Sequence, residues 1–309
     1  MRRTCDCRRL CSQVAKEPLQ EHTNAHRSAI LLHALQDTEF PGIVARPIGT
    51  FKGSSDYHYQ TLRCNVDLLK LIQLGITLCD QDGNFPTSSG EAGGDGSDAC
   101  CTWQFNFRFS IAEDMCAPDS LELLNKAGLD FDRHEKYGID VEYFGELLVT
   151  SGLALFQDVK WVSFHSGYDF GYLIKVVSCA PLPPTEAEFF QLLRVWFPSI
   201  YDIKYLMRSC KTLKGGLQDV AEELGVARIG QQHQAGSDSL LTAATFFKLR
   251  SRFFDGYIDD SKFLGALYGF AASSRPPPTT FNNGGSAPPP SGPAGITASS
   301  SSASEVAAS

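Results

Sequence analysis

Apolar residues follow two patterns along this chain. In the first they run together or alternate: Ala29 to Glu39 and Asp67 to Leu78 are mostly apolar and predict strands, the second closing at Asp80-Gln81-Asp82-Gly83-Asn84. Cys101 to Phe109 alternates, with Trp103, Phe105, Phe107 and Phe109 on one side and Gln104, Asn106 and Arg108 on the other. That predicts a strand covering a core with one face. Further on, apolar residues recur at helical spacing over Leu121–Ala127, Val141–Leu148, Phe170–Val177, Glu188–Trp196, Leu217–Leu224 and Leu240–Phe254. Two short strands, Lys160–His165 and Ser199–Ile203, interrupt those helices. Strands first, then helices interleaved with more strands, predict an α/β layer fold, a mixed sheet flanked by helices. The pattern alone leaves the topology open.

The ends change character. Residues 271–309 hold seven of the 16 prolines and few large apolar groups, so a disordered tail is expected there. Residues 1–28 lack periodicity, so a disordered leader outside the domain is expected there, and Ser88–Ala99 reads as a long polar loop. One domain over 29–270 is the expectation. With 309 residues, 43% of them hydrophobic, the chain has material for a sizeable core. No apolar stretch approaches the roughly 18 residues of a membrane helix. The first residues lack the apolar core of a secretory signal, and Asp6, Glu17 and Glu21 are unlike an organelle transit peptide, so an intracellular home is expected. The ten cysteines include no Cys-x-x-Cys pair, and Cys5, Cys7 and Cys11 lack a fourth ligand nearby, so reduced thiols are the default. Acidic residues outnumber basic ones by 35 to 27, which argues against a protein that coats duplex nucleic acid. A cleft that gathers divalent cations around a single strand stays open.

Candidate chemistry starts at Asp37-Thr38-Glu39, at the end of the first apolar strand and closed by Pro41-Gly42. Alternation places both carboxylates on one face, their Cα atoms roughly 6 to 7 Å apart. Like charges so placed repel unless a cation sits between them, and hard divalent ions prefer such oxygens. A solvated strand end is the plain alternative. Asp169 follows the strand Lys160–His165 and opens a helical pattern, and Asp238 does the same for the long helix that follows it. Taken alone, Asp169 reads better as an N-cap, and Asp238 could be plain capping as well. Strand-end and helix-start carboxylates from distant segments can converge at one end of an α/β sheet. His233, five residues before Asp238, has an imidazole suited to take a proton from water near pH 7. Asp202 reads as a cap, and His58 and His165 as hydrogen-bonding partners rather than ligands.

Asp37-Thr38-Glu39-Phe40-Pro41-Gly42, Ser55-Asp56-Tyr57-His58-Tyr59-Gln60, the stretch from His165 to Leu173 and the stretch from His233 to Leu241 resemble the CCR-associated factor deadenylases. These are catalytic subunits of the CCR-NOT complex within the DEDD exonuclease superfamily. The resemblance runs from about Asp37 to Phe270 and implies a ribonuclease H-like fold and 3′-to-5′ shortening of poly(A) RNA with release of 5′-AMP. By its implication Asp37, Glu39, Asp169 and Asp238 bind two divalent ions, Mg²⁺ or Mn²⁺. His at 233, with Gln at 234, places the chain in the superfamily's His branch, where His233 is the general base. Implied partners are a CCR-NOT scaffold protein and a leucine-rich-repeat deadenylase, with a cytoplasmic and nuclear location. Phe40 is a candidate for stacking on a base, with core packing as its alternative.

The family usually carries a helix and an apolar strand ahead of Asp-Thr-Glu, which residues 1–36 do not match. Gln36 stands where a hydrophobic residue is usual, and a buried Gln36 or His33 needs a hydrogen-bond partner. Two rival readings remain: a catalytically impaired adaptor subunit of the same complex, and a DNA-trimming exonuclease of the same superfamily.

Overall fold

The computed structural model describes residues 32–85 and 102–270; the leader expected over 1–28, the tail over 271–309 and the loop Ser88–Ala99 lie outside the described residues. The strands are β1 (Leu32–Glu39), β2 (Gln73–Cys79), β3 (Thr102–Asn106), β4 (Val159–Ser163) and β5 (Ile200–Asp202). The helices are α1 (Ser54–Leu68), α2 (Pro118–Lys126), α3 (Phe131–Tyr137), α4 (Val141–Thr150), α5 (Gly167–Ser178), α6 (Glu186–Trp196), α7 (Ile203–Leu206), α8 (Leu217–Glu223), α9 (Ala235–Phe253) and α10 (Asp260–Phe263). The strands form one five-stranded sheet in the order β3-β2-β1-β4-β5. β1 runs antiparallel to β2 and parallel to β4, β2 is antiparallel to β3, and β4 is parallel to β5. This is the mixed sheet flanked by helices that the sequence predicts.

β1 is the central strand, and its alternation divides the core. Ala34 belongs to the apolar layer built with Leu62 and Val66 of α1, Phe144 of α4, Phe170 of α5 and Phe189 of α6. Leu35 belongs to the opposite layer, with Ile203 of α7, Val220 of α8 and Phe246 and Leu249 of α9. A smaller cluster of Ile72, Phe109, Leu124, Ala127 and Leu129 lies under α2. No described helix is long and apolar enough to cross a membrane.

Several segments differ from the expectation, which includes neither helix α1 nor helix α3. The strand expected from Asp67 starts only at Gln73: Asp67 and Leu68 are the last turn of α1, whose buried Tyr59, Leu62, Asn65 and Val66 recur at helical spacing, and residues 69–72 connect the two. An apolar run that spans a helix end and a fully buried strand carries no period to separate them. The Lys175 ammonium marks the break, donating to the carbonyls of Val66, Asp67 and Leu69 at 2.8, 3.1 and 3.1 Å. β3 stops at Asn106, and Phe107 continues as a bridge to Ile139 while its N–H donates to the Ile72 carbonyl at 2.9 Å. α9 begins at Ala235, ahead of the expected start.

Candidate metal centre

The site forms where β1 ends. By strand alternation Asp37 and Glu39 share the face of Leu35, against which α9 packs. Gly75 of β2 lies directly opposite Asp37 in the antiparallel register. A Cβ on Gly75 would stand 1.8 Å from the carbonyl oxygen of Ala235 and 2.7 Å from the nitrogen of Gly236. Only glycine lets the start of α9 lie on the sheet at this point. Asp238, in the first turn of α9, is thereby brought to Asp37 and Glu39, and one carboxylate oxygen from each of the three lies within 4.8 Å of the others.

Asp238 is 6% exposed and held at both oxygens. Arg228 Nη1 contacts Oδ1 at 2.7 Å, and the Gln234 backbone N–H donates to Oδ2 at 3.1 Å. Asp238 is not the N-cap of α9: the helix starts three residues earlier, Gln234 holds the N-cap position, and Asp238 accepts from that residue's N–H from within the first turn. Asp169, in the first turn of α5, comes from the other layer and accepts a hydrogen bond from the Thr38 hydroxyl.

Packing four acids together raises the cost of ionising them. Burial pushes the Asp37 carboxyl well above its ordinary range, and Asp169, Asp238 and Glu39 push it further. Glu39 is pushed up to about 8 by burial and then by Asp238 and Asp169. Asp169 is pushed up to about 7 by burial, against the opposing bond from Thr38. An all-oxygen donor set under mutual repulsion fits a hard divalent cation, which relieves the repulsion and replaces lost solvation.

The model of the CAF1 family ribonuclease matches residues 34–146 and 152–246. The chain belongs to this family. It is 52% identical over 257 residues to poly(A) ribonuclease pop2 of Schizosaccharomyces pombe, an alignment covering 82% of this chain and 73% of that protein. It is 53% identical over 234 residues to the probable CCR4-associated factor 1 homolog 7 of Arabidopsis thaliana, covering 75% and 82%. Among solved structures it is similar to S. pombe Pop2p in its Mg²⁺- and Mn²⁺-bound form, with a TM-score of 0.74, 49% identity and coverage of 85% of this chain and 97% of that one. It is also similar to the yeast CAF1 co-crystallised with the NOT1 MIF4G domain, with a TM-score of 0.62, 31% identity and coverage of 84% and 91%. The fold of this CAF1-family chain is ribonuclease H-like.

Of the remaining candidates, His233 lies half-buried in the turn before α9 with φ of +60°, a left-handed conformation uncommon outside glycine. Phe40 is half-buried and stacks on Tyr168 with ring centroids 5.1 Å apart, beside Tyr172 at 5.3 Å, so core packing is part of its role. Asp202 does cap α7, accepting from Lys204 N–H at 2.9 Å, and also ties down His165 N–H at 2.9 Å and Tyr268 N–H at 2.9 Å. His58 faces the Gly269 carbonyl at 3.4 Å, and the His165 ring meets the edge of Tyr268.

Sequence reasoning missed Arg228, Thr38, Gly75, Gln73 and Gln104. One signal was present for Gly75, since a lone glycine inside an apolar strand marks a close backbone approach. Arg228 stands ten residues before Asp238 with an irregular segment between them, so no spacing links the two.

Proposed function

We infer that this CAF1-family chain is a poly(A)-specific 3′-to-5′ exoribonuclease that releases 5′-AMP and acts on messenger RNA as a CCR-NOT subunit. The observation that carries the reading is the meeting of Asp37, Glu39 and Asp238 within 4.8 Å at the end of β1. The family and the metal-bound form of its S. pombe relative support it.

Asp37, Glu39, Asp169 and Asp238 would hold two divalent ions, Mg²⁺ or Mn²⁺. Bound there, such ions neutralise phosphate charge and acidify water. The chain's own residues supply the rest. Arg228 and the Gln234 N–H fix both oxygens of Asp238, and Thr38 fixes one of Asp169. His233 would accept the proton of the attacking water as its oxygen bonds to the terminal phosphorus. The bond from phosphorus to the upstream 3′-oxygen breaks on the opposite side, and that oxygen leaves with the shortened strand and takes a proton from water to become its 3′-hydroxyl. Phe40, next to Glu39, would meet the terminal base with the part of its ring not packed on Tyr168. The yeast complex with a NOT1 domain supports a scaffold partner, and the leucine-rich-repeat deadenylase belongs to the same proposal.

The test is digestion of 5′-labelled RNA with and without Mg²⁺. RNA ending in adenosines should shorten one nucleotide at a time, faster than RNA ending in cytidines or the DNA equivalent. Internal cuts, equal rates on all three substrates, or full activity in excess chelator would overturn the assignment.

A further inference from the structure

The start of α9 is capped from outside the helix. An α-helix leaves its first N–H groups without partners, and a Ser, Thr, Asp or Asn at the N-cap ordinarily takes one of them. The N-cap here is Gln234, whose own side chain caps nothing. The Ala235 N–H donates instead to Gln73 Oε1 at 3.2 Å, and the Gly236 N–H to Gln104 Oε1 at 3.0 Å. Gln73 is on β2 and Gln104 on β3, so the two bonds join the helix to the sheet.

The amide nitrogens lock the acceptors in place. Gln73 Nε2 donates to Asn106 Oδ1 at 2.8 Å, and Gln104 Nε2 donates to Gln234 Oε1 at 3.1 Å. Gln234 Nε2 in turn donates to the Ala127 carbonyl at 2.7 Å. Gln73 is 2% exposed, so its orientation is fixed by these partners and not by solvent. Asp238 follows Gly236 by two residues. A shift or rotation of the first turn of α9 would move its carboxylate relative to Asp37 and Glu39.

The residue type has a reason. A carboxylate would cap an N–H as well, but would add an anion beside acids that already repel one another. An amide oxygen supplies the lone pair without the charge. We propose that Gln73 and Gln104 are positioning residues of the metal centre, two neutral sheet-borne caps that set the register of α9 and so the place of Asp238 in the ligand set. This rests on the metal reading above.

The experiment measures Mn²⁺ binding by calorimetry, and the Mg²⁺ concentration for half-maximal RNA shortening, in the full chain and in Gln73→Met, Gln104→Met and Gln104→Glu. Methionine keeps the length and removes the acceptor; glutamate keeps an acceptor. Groups that orient metal ligands typically change affinity or activity by about 10- to 100-fold when removed. Both methionine variants should therefore bind Mn²⁺ about tenfold more weakly, and need about tenfold more Mg²⁺, while circular dichroism in chelator shows them folded at the assay temperature. Gln104→Glu should bind Mn²⁺ at least as tightly as the unaltered chain. Folded methionine variants with unchanged Mn²⁺ affinity would overturn the proposal. So would loss of folding in both, which would make the amides part of core assembly, or a Gln104→Glu defect equal to that of Gln104→Met. If the unaltered chain binds no Mn²⁺, the metal reading itself fails and this inference with it.

Discussion

At its start β1 carries His33 and Gln36, and at its end Asp37 and Glu39, two sets of polar groups in the middle of one sheet. Gln36 is fully buried, and both its amide atoms, like His33 Nδ1, lack a hydrogen-bond partner among the described residues. The His33 ring sits 5.3 Å from Phe247 and 5.9 Å from Phe246, and burial and then Lys160 lower its pKa to about 4. No group of acids gathers at either residue among the described residues, and His33 meets Phe rings and the Asp80 backbone instead. Asp37 and Glu39, in contrast, meet acids from two helices, each with its own orienting bond from Thr38 or Arg228. An unsatisfied buried polar group is a cost to the fold. It becomes a candidate site when several groups of one donor type are steered to one point.

The largest way to break this comparison is at the site end. Asp37→Ala should lower RNA shortening about a thousandfold, equivalent to about 4 kcal/mol of transition-state stabilisation. In chelator the same variant should melt higher than the unaltered chain, because one of several repelling acids is gone. A variant that stays active, or that is less stable without metal, would remove the basis for treating the acids as ligands held against repulsion.

At the other end the signs reverse. Gln36→Met replaces an unpartnered buried amide by an apolar side chain of similar length, and leaving such groups unmade costs about 1 to 3 kcal/mol. The variant should gain stability of that order in urea denaturation, with RNA shortening within about twofold of the unaltered rate. An unchanged midpoint would mean that the amide is satisfied after all. A large change in rate would mean that Gln36 serves the site.

How legible all this was in the sequence follows from the range of the interactions. Asp37 and Glu39 could be paired from strand period alone, and Asp169 and Asp238 stood out as acids at helix starts. Gln36 was visible as a polar residue in an apolar strand. The end of α1 was hidden because apolar residues continue from its last turn through Leu69, Leu71 and Ile72 to β2 with no period to mark the break. Gln73 and Gln104 read only as polar positions of strands, and their bonds to Ala235 and Gly236 exist because α9 docks there, more than 100 residues later. Sequence periodicity reports which face a residue occupies. It carries no information on which distant backbone will press against that face.

A third test separates the two ends by pH. Glu39 at about 8 and Asp169 at about 7 keep protons in the folded chain that the unfolded chain releases near pH 4. Between about pH 4 and 8 the folded state binds more protons, so metal-free stability falls as pH rises, and Asp37, raised by the same burial, adds to the fall. His33 acts the other way. Its folded value of about 4 lies below the unfolded value of 6.5, so in that window the unfolded state binds the extra proton and stability rises with pH. The two slopes oppose each other below pH 6.5, and only the acids act above it. In chelator, His33→Leu should therefore lose stability more steeply than the unaltered chain from about pH 4 to 6.5, and run parallel to it from there to about 8. Saturating Mg²⁺ should abolish the decline above 6.5 in both, because a bound cation requires the ionised acids. Parallel curves below 6.5 would show that His33 titrates as it does in the unfolded chain, and a decline that survives Mg²⁺ would detach the acids from the metal.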